Sequence, residues 1–521
     1  MSMRMKAGAM AAVAALVVGV VSGCERGDGP GGAGPGSSER PGPSGTPGSP
    51  AGAPPLPAAL TGQKPDWRRC EAPEGGEAPG GDWRCATVKV PLDYAKPDGE
   101  TLSIALVRKE ARDRGGRIGS LLFNFGGPGA SGVEILPGSA AEYTKLNRRY
   151  DLVGFDPRGV GRSSAVVCRD DKEQAAAEQR IDLTPDTSAE EAAYLKDGSD
   201  FGAGCASRSG KVIPHVTTSN TARDLDLVRH VLGDRKLNYL GYSYGTQLGA
   251  AYAHQFPRNV GRAVLDAVVD PTVDAKGHAR HQTTGFQRAL NNYFDSTGEG
   301  AAAGTARVSR LLKRLDSQPL PTTDGRKLTE SLALTGIVLP LYSKSSWPLL
   351  TSALKDAEDG RGDALLELAD MYNDRDADGH YGTDGHAQRA ISCADSSQRP
   401  TAAEAKALLP EFRRISPVFG EFLAWDTAGW CANWPVKGEY VTPEVSAPGA
   451  GPILVVGTTG DPATPFEGAQ RMADGLGAGV GIMIRNEGEG HGAYGTSSCV
   501  TKLVDDYLLD GKVPATGTKC S

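Results

Sequence analysis

Lys236-Leu237-Asn238-Tyr239-Leu240-Gly241-Tyr242-Ser243-Tyr244-Gly245 is the stretch that decides the fold. A short, largely apolar run ends in Gly-x-Ser-x-Gly, and an apolar helical pattern follows over residues 246–256. A serine set between a strand and a helix, with glycines at −2 and +2, has the form of a nucleophile elbow, a turn so sharp that side chains at the glycine positions would collide. Glycine and serine are common in this chain, so the pentapeptide carries weight only because a strand precedes it and a helix follows. Ser243 is the candidate nucleophile.

Other strands end in the same manner. Ser120-Leu121-Leu122-Phe123-Asn124-Phe125 opens into Gly126-Gly127-Pro128-Gly129, and Tyr150-Asp151-Leu152-Val153-Gly154-Phe155 leads into Asp156-Pro157-Arg158-Gly159. Further strands are expected at 262–269, 453–457 and 480–485. Continuous apolar runs of strand length that stop at glycines suit strands buried on both faces. Their alternation with helical stretches predicts an α/β fold with a mainly parallel sheet.

A serine hydroxyl is a poor nucleophile until a base takes its proton, and the base is usually a histidine oriented by a carboxylate. In elbow hydrolases the chain order is Ser, Asp/Glu, His. Of eight histidines, only His491, in Gly488-Glu489-Gly490-His491-Gly492, follows a C-terminal strand. His215, His230, His254, His278, His281 and His386 lack strand-end context, and His380 sits in an aspartate-rich loop. The run 453–457 ends in Thr458-Thr459-Gly460-Asp461-Pro462, which puts Asp461 where the acid belongs, with Thr464 near enough to bond its carboxylate. The backbone amides of Tyr244 and Gly127 are the candidate oxyanion donors, because glycines let that backbone approach a substrate closely.

From Ser243 to Asp461 is 218 residues, far more than one strand–helix–strand step. Residues 61–272 and 447–521 are therefore read as two parts of one core, with 273–446 inserted as a mainly helical lid over the carboxyl ends of the strands. Apolar-periodic stretches at 309–315, 349–357 and 402–409 support helices there. Within the insertion, Asp374-x-Asp376-x-Asp378-Gly379 has the first half of a calcium loop, but Gly385 stands where the bidentate glutamate belongs. It reads as an exposed loop, and no metal or cofactor is expected.

Phe125-Gly126-Gly127-Pro128-Gly129, Asp156-Pro157-Arg158-Gly159-x-Gly161, Gly241-Tyr242-Ser243-Tyr244-Gly245, Gly460-Asp461-Pro462-x-Thr464-Pro465 and Gly490-His491-Gly492, in this order, resemble the tripeptidyl aminopeptidase group of α/β-hydrolases, which is related to proline iminopeptidases. Phe125 replaces the histidine that proline iminopeptidases usually carry before Gly-Gly-Pro-Gly, which argues against strict prolyl specificity. The resemblance implies an α/β-hydrolase fold and a secreted serine exopeptidase that releases short N-terminal peptides from substrates with a free N-terminus. Such an enzyme must recognise a cationic amine. A lid carboxylate at a fixed distance from Ser243 would do so, and Asp395 and Glu421 are the candidates. A carboxylesterase or lipase using the same triad, or a noncatalytic surface-binding lipoprotein on a hydrolase scaffold, are the rival functions.

The N-terminus speaks to location. Arg4 and Lys6 precede an apolar run over residues 7–21, and Val21-Ser22-Gly23-Cys24 resembles a lipobox; residues 1–23 read as a signal peptide, with Cys24 the expected lipidation site. The apolar run has 15 residues, short of the about 20 that a membrane-spanning helix needs. Residues 24–60 then serve as a tether: 25–60 hold 10 of the 69 glycines and 9 of the 35 prolines in the chain, without an aromatic. The expected product is a monomeric cell-surface lipoprotein or extracellular enzyme that touches membrane only through its anchor. The remaining eight cysteines are even in number and lack the Cys-x-x-Cys spacing of structural zinc, so disulfides are expected. Nearest-neighbour pairing would join Cys70–Cys85, Cys168–Cys205, Cys393–Cys431 and Cys499–Cys520. The balance of 56 basic and 63 acidic residues gives a net charge of −7 and argues against a nucleic-acid partner.

Overall fold

The computed structural model describes residues 54–72 and 77–521. The signal segment, Cys24 and the tether up to residue 53 lie outside the described residues. The end of the Pro/Gly-rich segment already belongs to the body, where the short helix Ala58–Thr61 buries Leu60 in the core. Among the described residues no helix is long and apolar enough to cross a membrane.

The strands are β1 (Arg68–Arg69), β2 (Trp83–Pro91), β3 (Thr101–Lys109), β4 (Gly119–Asn124), β5 (Tyr150–Phe155), β6 (Leu237–Tyr242), β7 (Val260–Asp266), β8 (Leu320–Pro321), β9 (Lys327–Leu328), β10 (Ile453–Gly460), β11 (Gly481–Glu489) and β12 (Thr518–Cys520). Ten of them form one sheet in the order β1-β2-β3-β5-β4-β6-β7-β10-β11-β12. Every pairing from β5 to β12 is parallel, and β1, β2 and β3 join antiparallel at one edge. The β2–β3 hairpin was not anticipated: Thr87 and Lys89 of β2 are exposed and interrupt it, so it lacks the continuous apolar run of a central strand.

The pleat sorts each central strand between two faces. Leu237, Tyr239, Ala263, Leu265, Ile453 and Val455 point to one hydrophobic layer, under the helices Thr218–Val231, Tyr244–Gln255 and Phe466–Leu476. Leu121, Phe123, Leu240, Val264, Leu454 and Val456 point to the other, under Gly132–Ser139 and Ser498–Asp510. The sheet is thus the middle of three layers. The chain runs from β4 to β5 on one side and then returns to place β6 on the other side of β4. Strand order reverses there, and the carboxyl ends beside such a reversal form the crevice in which α/β folds bind ligands.

Residues between β7 and β10 build a cap with its own hydrophobic core, contributed by helices Ala275–Thr297, Ala301–Ser317, Glu330–Leu341, Trp347–Glu358, Asp363–Tyr372, Ala402–Ile415 and Gly420–Gly429. The antiparallel ribbon β8–β9 also lies there. A second excursion, absent from the sequence reading, inserts helices Asp171–Arg180 and Ser188–Ser209 between β5 and β6, and these pack on the cap helices Glu330–Leu341 and Gly420–Gly429.

Cys70–Cys85, Cys168–Cys205, Cys393–Cys431 and Cys499–Cys520 are disulfide-bonded, each cysteine to its neighbour in sequence. The Asp156–Gly159 turn is structural. Asp156 accepts from Ser131 Oγ at 2.6 Å and from the Val133 amide at 3.1 Å, fastening the start of helix Gly132–Ser139. Arg158, wholly buried, grips Asp224 through two bonds of 2.6 Å.

Candidate active site

The turn after β6 is strained at a single residue. Ser243 adopts φ 56° and ψ −124°, a backbone region that side chains rarely enter. Such a conformation costs on the order of 1–3 kcal/mol and persists only where the surroundings enforce it. Here its amide donates to the Asp266 carbonyl of β7 at 3.1 Å, and its own carbonyl accepts from Thr246 N at 2.8 Å and Thr246 Oγ1 at 2.6 Å. Both flanking glycines are required by close packing. A Cβ on Gly241 would lie 2.5 Å from the Gly245 carbonyl oxygen, and one on Gly245 would lie 2.7 Å from the Asn124 oxygen of β4.

The glycine loop after β4 lies directly on this turn. Asn124 is in register with Gly241, and a Cβ on Gly126 would come within 2.8 Å of Ser243 Cβ and 3.3 Å of the Tyr244 nitrogen. Gly126 and Gly127 reach this position with φ of 90° and 101°. The Gly126 amide is held by Asn124 Oδ1 at 3.0 Å, while that of Gly127 makes no hydrogen bond among the described residues. Tyr244 opens the helix Tyr244–Gln255, so its amide belongs to the first turn, which has no intrahelical acceptor and carries the positive end of the helix dipole. The glycine loop and the Tyr244 amide thus lie beside the serine, an arrangement able to supply amide donors to an oxyanion.

Asp461 and His491 meet above the ends of β10 and β11. His491 Nδ1 lies 2.9 and 3.0 Å from the two Asp461 carboxylate oxygens. Asp461 is fully buried and His491 15% exposed. The carboxylate also accepts from the amides of Ala463 (3.0 Å) and Thr464 (2.9 Å) and from Thr464 Oγ1 (3.0 Å), which leaves it one orientation. Burial pulls the His491 pKa down, but the charge and hydrogen bond of Asp461 outweigh it, so the imidazole sits above its ordinary value. The histidine loop is secured from below by Asp266, at the end of β7, which accepts from the Ala493 and Tyr494 amides at 3.0 and 2.8 Å. The sequence reading passed over Asp266 because it ran the strand on to residue 269, although a carboxylate ending a buried strand was the signal used for Asp461.

The structure puts Asp395 and Glu421 to other uses. Asp395 is 4% exposed and accepts from Thr218 N (2.8 Å) and Thr218 Oγ1 (2.6 Å), capping helix Thr218–Val231; burial pushes its pKa up to about 7, against those bonds. Glu421 is paired with Arg413 at 2.9 and 2.5 Å. Neither presents a free carboxylate. The Asp374–Asp378 segment is a turn closed on Asp376, which accepts from the amides of Asp378 and His380 at 2.9 Å. Among the described residues no group of three or more His, Cys, Asp or Glu is placed to hold a metal ion.

Comparison with known proteins agrees with this architecture. Residues 416–520 match the family described as TAP-like protein. Serine protease Hip1 of Mycobacterium tuberculosis is 38% identical over 486 residues, covering 88% of this chain and 91% of its own. Carboxylesterase B of the same organism is also 38% identical, over 93% of this chain and 94% of its own. Tripeptidyl aminopeptidase of Streptomyces lividans is 32% identical over 88% of this chain and 86% of its own. The chain belongs to the tripeptidyl aminopeptidase-like family of α/β-hydrolases, and it is a serine hydrolase.

Proposed function

We propose that the protein is an exported serine exopeptidase that releases short N-terminal peptides, of tripeptide length by its resemblance to the aminopeptidase relatives, through an acyl-enzyme on Ser243. The observation that carries the reading is the paired Asp461 and His491 at the carboxyl ends of the same parallel sheet as a strained serine lying against a glycine loop. Ser243 Oγ attacks the scissile carbonyl while His491 Nε2 takes its proton; Nδ1–H stays on Asp461, which holds the tautomer and stabilises the imidazolium. The Gly127 and Tyr244 amides receive the developing oxyanion. His491 then protonates the departing amine, and water, deprotonated by the same nitrogen, releases the N-terminal fragment. Four disulfides fit an oxidising compartment, and Cys24 is the proposed lipid attachment.

An ammonium needs a carboxylate that is not already paired. Asp384 meets this condition: its side chain makes no hydrogen bond or ion pair among the described residues, and its backbone oxygen would lie 2.4 Å from a Cβ on Gly129 in the glycine loop. Burial, with the charges of Asp374 and Glu134, holds Asp384 well above the usual carboxylate range. A bound cation would reverse that.

The deciding measurement is hydrolysis of tripeptide anilides with free and with acylated amines. Free-amine substrates are turned over, acylated ones are not, and Ser243→Ala lowers kcat by at least ~10⁴-fold. Only neutral imidazole accepts the serine proton, so kcat/KM rises with pH through a midpoint above about 6.5. The relative named carboxylesterase B favours a second reading; turnover of short acyl esters with none of peptide anilides would establish it.

A further inference from the structure

The cap does more than cover the site. Tyr342, at the C-terminal end of the cap helix Glu330–Leu341, accepts the His491 amide on its carbonyl oxygen at 2.8 Å. Its ring stands edge-on to the imidazole, with centroids 5.2 Å apart and planes at 89°. The ring is itself held between Phe286 (5.7 Å) and Tyr372 (6.4 Å), both cap residues. Gly490 permits this approach, since a Cβ there would lie 3.1 Å from the Tyr342 oxygen. Helix Ala275–Thr297 grips the neighbouring loops from one face: Asn292 Nδ2 donates to the Glu489 carboxylate at 2.9 Å, and Arg288 Nη2 to the Asp461 carbonyl at 3.4 Å. Asp461 holds Nδ1 and Asp266 the loop beneath, both from the core; the side of the imidazole toward the cap is defined by Tyr342.

We infer that Tyr342 is a positioning residue for His491, so that the base is correctly set only while the cap is docked. The inference rests on the proposed role of His491. A base displaced by about 1 Å loses about 100-fold in rate, which is the scale on which a missing ring wall acts. The groups facing His491 are Asp461 and Thr464 from the loop after β10, Asp266 from β7, and Tyr342 from the cap.

The test compares Tyr342→Ala, Tyr342→Phe and His491→Ala in the full chain, by kinetics on a free-amine tripeptide anilide across pH and by the rate of labelling with a fluorophosphonate. Tyr342→Ala is expected to lower kcat and the labelling rate by about 100-fold, with KM within about twofold. Removing the ring also relieves the burial that pulls the His491 pKa down, so the acid limb moves to higher pH. Tyr342→Phe keeps ring and carbonyl and recovers most of the rate. Should Tyr342→Ala fail to fold, Tyr342→Leu, which keeps apolar volume without the ring edge, is expected to lower kcat and the labelling rate likewise, with the acid limb near that of wild type because the histidine stays buried. A kcat within about twofold of wild type in either variant, or a loss in Tyr342→Ala with an unmoved acid limb, overturns the inference. Full turnover by His491→Ala instead overturns the catalytic reading itself, whatever Tyr342 does.

Discussion

Ser243 is held by Thr246 three residues away and by the strands on either side of β6, whereas His491 is held by the end of β7, the loop after β10 and a cap residue, Tyr342. The geometry of Ser243 is therefore largely local and made of backbone; that of His491 is assembled from distant parts of the chain. The first kind is intolerant of a single added methyl group. In the second, the supports around the Asp461–His491 pair are spread over several contacts.

Substitutions can break this contrast in order of effect. Asp461→Asn offers His491 Nδ1 the wrong partner and favours the wrong tautomer; kcat falls by about 10⁴-fold with little change in KM, read on tripeptide anilides. Gly126→Ala places a methyl against Ser243 and the space beside the Tyr244 amide, on a backbone whose φ is 90°. Its kcat falls by about 10²–10³-fold, while circular dichroism shows the fold retained. Asp266→Asn keeps the shape but weakens the acceptors of the Ala493 and Tyr494 amides. A loss of about tenfold in kcat is expected, and a loss as large as that of Gly126→Ala would mean that the two halves are not built differently. Replacing Cys499 and Cys520 by serine frees the edge strand β12. Unfolding in urea should show about 2–4 kcal/mol less stability, with kcat unchanged.

What the sequence discloses follows the same division. Gly241, Ser243 and Gly245 are legible because only certain residues fit such a turn, and Asp461 and His491 because they end strands in the required order. Tyr342 is not legible: its strongest bond uses a carbonyl, which every residue has. Asp395 and Glu421 show the reverse failure. An acid in the insertion can be seen in sequence, but not that Thr218 or Arg413 has already claimed it. Helix Ser188–Ser209 was missed because its apolar positions are interrupted by glycine and charged residues, so packing on the cap rather than a clear apolar stripe makes it helical.

Ala463, two residues after Asp461, is buried among the cap's hydrophobic side chains rather than in the layers of the sheet. The boundary between cap and core thus runs through the acid's own loop. A chimera joined at residues 273 and 446, carrying a relative's insertion on this core, would leave Ala463 facing foreign side chains and His491 facing a foreign helix end. Across the family, the insertion and the loop that carries Asp461 are therefore expected to diverge together.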